Sequence, residues 1–265
     1  MRQFLALFSI SLKDAFVYRV RSFIWFLNDV LPVLTAMLFF GAVFSQQKQV
    51  GDYVLSSILS YYLVTLSLNV LLEPHPEFAI YLDINSGFLS TYLLKPLSYI
   101  RFYIASEIAW KTIRLTYLTP FMILALIALH GCTTMNLMVW WRWLIFGLML
   151  AVSFMIFYFW KVIIGFMAFW FNEITWLLGI SELLSTFFSG IIFPLDLMPK
   201  YMQQIASLLP FKYVIYIPAK LLTSVISLEE QFKYLIIQLV WLSILGLVVK
   251  RLWRKGVKDY EAYGN

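Results

Sequence analysis

The residues of this sequence that could do chemistry are ionisable side chains inside apolar segments. Glu107, Lys111 and Arg114 are spaced i, i+4 and i+7, so a helix would place Glu107 and Lys111 on one face. Charges in apolar segments are costly and usually face protein or water. We therefore expect either internal ion pairs or the lining of a polar path. The candidates are Asp29, Glu107, Lys111 and Arg114 for an inner vestibule and Glu182 for a substrate path.

No catalytic or metal-binding motif accompanies these charges. The sequence contains neither H-E-x-x-H nor G-x-x-x-x-G-K-[ST], the motifs of one zinc site and of a phosphate-binding loop. His75 and His130 fall on opposite sides of the predicted bilayer, and the single cysteine, Cys132, has only His130 near it. Catalytic and metal sites need converging ligands. We predict no enzymatic activity, no metal site and no cofactor in this chain.

The composition predicts that most of the chain lies in lipid. Hydrophobic residues make up 62 % of the sequence, charged residues make up 13 %, and the mean hydropathy is +0.82. A soluble protein of 265 residues cannot bury so much apolar surface. The net charge is +6, and basic residues collect beside membrane segments on the cytoplasmic side. We therefore predict the lipid bilayer as a partner and no nucleic acid.

Six segments are long and apolar enough to cross a bilayer. A helix rises 1.5 Å per residue, so about 20 residues cross the hydrocarbon core. The runs are too long and alternate too little for barrel strands, and helices satisfy their own backbone groups in lipid. The sequence predicts one all-α, polytopic domain over 1–265, with spans at 23–44, 53–72, 100–129, 139–169, 173–193 and 234–249.

Basic residues predict the orientation of these spans. They precede the first span, follow the second and follow the sixth, whereas the connectors 45–52 and 130–138 carry only Lys48 and Asp52. The positive-inside rule then places both termini in the cytoplasm. The connector 194–233 fits this orientation less well, because it would carry four lysines outside.

Two cytoplasmic segments outside the spans are predicted to be helical. A helix over residues 2–21 would have one apolar and one polar face. This pattern indicates either an interfacial amphipathic helix or a cytoplasmic cap packed on the bundle. In the connector 73–99, prolines end the second span, and a short helix follows from Phe88 to Lys95. This short helix either folds back on its own spans or docks another protein.

Residues 194–228 are apolar, but prolines cut every run too short to span a membrane. We predict an outer re-entrant hairpin of two short helices. Its tyrosines would lie at the level of the lipid headgroups.

These connectors resemble those of a known family. The stretch Ile84…Gly87…Leu94-Lys95-Pro96 resembles the coupling-loop motif of ATP-binding-cassette (ABC) permeases of the type-2 exporter class. Three stretches resemble that family's outer hairpin: Ser189–Pro199, Leu209-Pro210-Phe211 and Ile217-Pro218-Ala219. The C-terminal stretch Trp253–Tyr260 also resembles the corresponding stretch of the family. The likeness keeps the segment order through nearly the whole chain. It is greatest to the subgroup of lone six-span permeases without a fused ATPase.

The resemblance implies roles for particular residues. An ATPase-coupling helix would use Ile84, Gly87, Phe88, Thr91, Tyr92, Leu94, Lys95 and Pro96. An outer gate would use Pro194, Pro199, Pro210, Phe211 and Pro218.

The resemblance also implies a mechanism of export across a prokaryotic plasma membrane. Two permease subunits, identical or homologous, would enclose the substrate path, and each would dock on one copy of a cytoplasmic ABC ATPase. ATP and Mg²⁺ would bind in that ATPase. ATP binding would close the ATPase pair and move the spans through the coupling helix. The coupling helix must then bind the open and closed ATPase differently.

Two other functional classes remain open from the sequence. An ion-gradient-driven secondary transporter often shows inverted repeats and broken helices, although no clear internal repeat is visible here. An intramembrane enzyme acting on lipid would need a convergent set of His, Asp or Glu, which the sequence does not present.

Overall fold

The computed structural model describes residues 2–95, 98–129 and 139–260. Within those ranges the regular structure is helical, and the only bridge outside helices pairs Val50 with Tyr53. Together with the long apolar helices, this confirms the predicted all-α, polytopic fold class. Three residues named above, Pro96, His130 and Cys132, lie outside the described residues.

Twelve α-helices follow one another in the described residues. They are α1 (Arg2–Val17), α2 (Arg19–Gln46), α3 (Leu55–Leu72), α4 (Glu77–Asn85), α5 (Leu89–Leu93), α6 (Tyr99–Ala128), α7 (Trp140–Phe166), α8 (Thr175–Phe188), α9 (Lys200–Ser207), α10 (Phe211–Val214), α11 (Tyr216–Thr223) and α12 (Leu228–Asp259). Single 3₁₀ turns occupy Met167–Phe169 and Leu195–Leu197.

Five helical segments are long and apolar enough to cross a membrane. They are α2, Leu55–Asn85 (α3 with α4), α6, Trp140–Phe169 and α12. A sixth span exists if α9 and the pair α10–α11, which are bent by 78° at their break, count as one.

The segment predicted as a fifth span contains a shorter helix. Its helix, α8, has 14 residues, so it is about 21 Å long and falls short of a hydrocarbon core of about 30 Å. The chain turns at Gly190, whose φ of +82° suits glycine. A Cβ atom there would lie 2.7 Å from the Tyr61 hydroxyl oxygen, so the turn is set by close packing.

The central helix of the bundle is α3. Ile58, Tyr61 and Leu66 are fully buried, and α2, α6, α7 and α11 pack around this helix. On the far side of α7, α12 packs along its length. This core positions the break between α3 and α4 and the turns of the hairpin, where the polar groups lie.

A second apolar cluster holds α4, α5 and the start of α6 against the end of α12. The rings of Tyr99 and Trp253 stack with centroids 5.4 Å apart, and Phe166 lies 5.4 Å from the same indole. Ile80 and Leu89 are buried in this cluster. The segment predicted to couple to an ATPase is therefore anchored at its base by packing.

The N-terminal helix α1 lies mainly against α6. It buries Ser11 and Ala15 there, while Leu5 and Phe16 remain more than half exposed. Both predicted descriptions are compatible with this placement, since the helix caps the bundle and still presents an apolar face.

Candidate functional site

A buried lysine joins three carboxylates at the break between α3 and α4. The Lys161 Nζ lies 2.5 Å from Glu182 Oε2, 3.3 Å from Glu77 Oε1 and 3.5 Å from Glu73 Oε1. The lysine side chain is 1 % exposed. Because removing a charge from water is expensive, such an ammonium persists only with partners of opposite charge. We call these four residues the Lys161 network.

The break itself exposes backbone carbonyls that a second lysine satisfies. Pro74 and Pro76 follow α3 and cannot donate a backbone N–H, so the helix ends at Leu72. The Lys111 Nζ donates to the Glu73 carbonyl oxygen at 2.7 Å and to the Val70 carbonyl oxygen at 3.3 Å. A cation at a helix C-terminus is electrostatically favourable.

The remaining charges predicted for the vestibule have different partners. Asp29 on α2 and Arg114 on α6 form an ion pair of 3.2 Å. Among the ion pairs of the described residues, none joins Glu107 to Lys111, so the i, i+4 pairing suggested by their spacing is not the contact that Lys111 makes. Glu107 instead lines a cavity.

This cavity has a volume of about 410 Å³ and lies between α1, α2, α4 and α6. Its wall includes Glu73 and Glu77 of the Lys161 network, together with Ser22 and Trp25 of α2. The Trp25 ring stacks on His75 with centroids 5.8 Å apart. Polar and aromatic groups therefore converge on one space, as they do in ligand sites.

Among the described residues, His75, Glu77 and Glu182 form a cluster that could hold a metal ion. One potential ligand atom from each lies within 4.8 Å of the others. However, the Lys161 Nζ contacts both carboxylates. The ammonium therefore occupies the position where a divalent cation would find its charge balance.

The predicted coupling segment comprises α4, α5 and the turn between them. Gly87 makes the turn with a φ of +77°. Ile84 and Leu89 are buried, whereas Phe88 is 50 % and Leu94 88 % exposed. The apolar base is thus anchored, and the tip of the segment is uncovered.

Tyr92 and Thr91 face the bundle more than their helical spacing suggested. The Tyr92 ring lies 5.3 Å from Tyr99 and 5.2 Å from Phe102, and Lys95 lies over the Tyr92 ring at 5.4 Å. Thr91 is partly buried. The exposed apolar surface of the segment is therefore centred on Phe88 and Leu94.

Hydrogen bonds join the predicted coupling segment to the span α6 and to the connector before α8. Asp83 accepts from the hydroxyls of Tyr99 at 2.9 Å and Tyr103 at 2.6 Å, both on α6. The Asn85 amide donates to the Asn172 carbonyl oxygen at 2.6 Å, in the connector before α8. In that connector, hydrogen bonds from Thr175 lower the pKa of the Glu173 carboxyl. Movement of the segment would thus reach α6 and α8.

The predicted outer hairpin packs against the helix bundle. Pro194, Pro199 and Pro210 each precede a short helix, where a proline costs no helical hydrogen bond. Phe211 is 2 % exposed and meets the Trp160 ring at 5.1 Å. Pro218 is buried inside α11. These five gate candidates belong to one folded unit.

A polar clamp holds the hairpin on α3. The Tyr53 hydroxyl donates to both Asp196 oxygens at 2.9 and 3.0 Å, and the Lys220 Nζ lies 2.6 Å from the same carboxylate. Burial, followed by the Asp196 charge, raises the pKa of Tyr53, so the hydroxyl keeps its proton. The hydroxyls of Tyr61 and Tyr62 add bonds to the carbonyls of Gly190 and Ile192.

Sequence reasoning missed several residues of this site. Lys161, Glu73 and Glu77 were not proposed as functional, and neither were Ser22 and Trp25. A signal was available for Lys161, because a lone lysine in a long apolar span requires a carboxylate partner. Which carboxylates it meets depends on how α4, α7 and α8 pack.

Comparison with known proteins gives one family match. The family described as ABC-2 family transporter protein matches residues 30–264, which is most of the 265-residue chain. The matched range includes the Lys161 network, the coupling segment and the hairpin. No curated protein matches the sequence.

Proposed function

We propose a transport function from one premise: this chain belongs to the ABC-2 family of transporter proteins. It is a multi-pass membrane protein and the permease component of an ABC transporter, not an enzyme. In our proposal it exports a substrate across a prokaryotic plasma membrane, with both termini cytoplasmic. Two permease subunits, identical or homologous, enclose the path.

The power source in this proposal is a separate ABC ATPase, one copy for each permease. The sequence contains no G-x-x-x-x-G-K-[ST] loop, so we assign ATP and Mg²⁺ to the partner. The observation that carries the proposal is the uncovered apolar tip of the coupling segment on a buried base. Phe88 and Leu94 are exposed there, while Ile84 and Leu89 are buried. Such a knob suits insertion into a groove of a partner.

The contacts of α4 provide a route from this knob to the spans. Asp83 and Asn85 bond to α6 and to the connector before α8, and Glu77 is bonded to Lys161 on α7. The ATPase would shift the spans only if it binds this segment with different affinity in its open and closed states. The Lys161 network and the hydrogen bonds of α4 are the elements through which that difference would pass.

The test uses the permease reconstituted with its partner ABC ATPase. We expect Leu94→Asp to abolish most ATP-driven transport, because a charge would disrupt an apolar docking contact. Val225→Asp is the matched control, since Val225 is 87 % and Leu94 88 % exposed. Normal ATP-driven transport by Leu94→Asp would refute the docking assignment.

One observation favours a second candidate, an ion-gradient-driven carrier. The α3 helix is broken at a charged segment within the span Leu55–Asn85, which is a device of secondary transporters. The two candidates separate in proteoliposomes. Transport that needs ATP and survives collapse of the ion gradients supports the ABC permease, and the reverse result supports the carrier.

A further inference from the structure

Three residues that line the 410 Å³ cavity each carry a buried polar atom without a hydrogen-bond partner. They are Ser22 Oγ, Glu73 Oε1 and Glu77 Oε2, and the Ser22 residue is 1 % exposed. In the described residues only six buried polar side-chain atoms lack a hydrogen bond, and half of them belong to residues that line this one cavity. Buried polar atoms are normally paired, and leaving them unpaired is costly. Their concentration here points to a bound group with hydrogen-bond donors.

The charge around the cavity is unbalanced toward the negative. Four carboxylates lie in the wall. Two more are counted with them, because Asp29 pairs with Arg114 of the wall and Glu182 shares Lys161 with Glu73 and Glu77. Against these six carboxylates stand four fixed cations, which leaves two carboxylates in excess when His75, which lies 3.7 Å from Glu77, is neutral and one when it is protonated. The carboxylates are Asp14, Asp29, Glu73, Glu77, Glu107 and Glu182, and the cations are Arg21, Lys111, Arg114 and Lys161. This imbalance favours a cationic ligand.

Aromatic side chains complete the wall. Trp25, Phe78, Tyr103 and Trp110 line the same cavity. The faces of such rings attract cations and also bury apolar surface. A bare metal ion would leave this aromatic surface unused and would fill little of the volume.

We propose that this cavity binds an organic ammonium ion that combines N–H donors with an apolar body, and that such cations are the substrates of this chain. The N–H groups bond to the Ser22 hydroxyl and to the Glu77 carboxylate, whose Oε2 has no partner, beside the Glu73 carboxylate, whose Oε1 also contacts Lys161. The apolar body lies against Trp25 and Trp110. A quaternary ammonium satisfies the charge but not these acceptors. That these cations are transported rests on the proposed function, whereas their binding to the cavity requires no ATPase.

Binding is measured on the full chain in lipid nanodiscs by equilibrium dialysis, with empty nanodiscs as the blank. The probe is 1-naphthylmethylamine, which is protonated at neutral pH, and its uncharged counterpart is 1-naphthalenemethanol. We expect the ammonium to bind at least about tenfold more tightly than the alcohol, the factor typical of a charged hydrogen bond. Equal affinity of the two probes, or no binding of the ammonium, would overturn the proposal.

Variants locate the binding. We expect Glu77→Gln and Ser22→Ala each to weaken ammonium binding, with little effect on the alcohol. Glu229→Gln is the control, because Glu229 is exposed at the start of α12 and outside the cavity. If Glu77→Gln fails to fold because of its pairing with Lys161, Trp110→Leu replaces it. Unchanged ammonium affinity in the folded variants would contradict this site.

The binding result and the transport result can be distinguished from each other. Ammonium binding without any ATP-driven transport would refute the transport function and leave the site. ATP-driven transport by a chain that does not bind the ammonium would refute the site and leave the transport function.

Discussion

Lys161 is the residue whose replacement should matter most to the fold. Its ammonium is buried and is shared by Glu73, Glu77 and Glu182, which come from the α3–α4 break, α4 and α8. A buried ion group contributes little net stability compared with apolar residues, but removing one partner leaves charges unpaired. The sequence indicates that a lysine in this span needs a carboxylate partner, but it does not show which carboxylates surround Lys161.

We expect Lys161→Met to lower the free energy of unfolding by about 3–5 kcal/mol, because three carboxylates lose their common cation. Lys161→Arg should recover part of this loss. Thermal unfolding of the purified chain in detergent measures both, with Lys250→Met, at an exposed position on α12, as the control. A Lys161→Met protein that unfolds at the wild-type temperature would show that the network is not formed.

Gly190 allows a second prediction at the same scale. Its φ of +82° is unfavourable for alanine, and a Cβ would lie 2.7 Å from the Tyr61 hydroxyl. Gly190→Ala should therefore cost at least about 1 kcal/mol. Gly147→Ala, inside α7 with no atom within 4 Å of its Cβ, should instead stabilise by about 0.5–1 kcal/mol. Chemical denaturation in micelles compares them, and equal effects would argue against the tight turn.

Among the elements, the long spans and the short hairpin helices differ in how well sequence predicts them. Hydropathy and proline are local signals, so α2, α6, α7 and α12 and the breaks at Pro74 and Pro210 were anticipated. The early end of α8 was not, because residues 189–193 are as apolar as the helix before them. It ends where Gly190 packs on Tyr61 and Tyr216, which is a tertiary contact.

The contacts of Asp196 with Tyr53 and Lys220 should stabilise the hairpin, and an Asp196 variant tests this. Asp196→Asn removes the ion pair with Lys220 and weakens the acceptor for Tyr53. We expect amide exchange in α9 to accelerate by about tenfold, since a charged hydrogen bond contributes about 1.5 kcal/mol or more. Asp52→Asn, an exposed neighbour of the clamp, is the control. Unchanged exchange in Asp196→Asn would mean that packing alone holds the hairpin.

For the whole molecule, sequence was sufficient for the fold class and for the type of protein. Composition alone requires lipid, and the order of the motifs led to the family that the match over residues 30–264 then established. The interior of the site was not accessible in the same way. Glu182 was placed on a substrate path or beside a basic residue, and only packing makes Lys161 its partner. The cavity joins residues from α1, α2, α4 and α6, whose proximity no local pattern encodes.

Docking of an ATPase on the coupling segment is the central claim, and photo-crosslinking in cells tests it most directly. The photoreactive residue p-benzoylphenylalanine is placed at Leu94 and, in a second variant, at Val225, which is equally exposed. We predict that position 94 crosslinks to the ABC ATPase and position 225 does not. Crosslinking at 225 but not at 94, or at neither position while ATP-driven transport persists, would contradict the account.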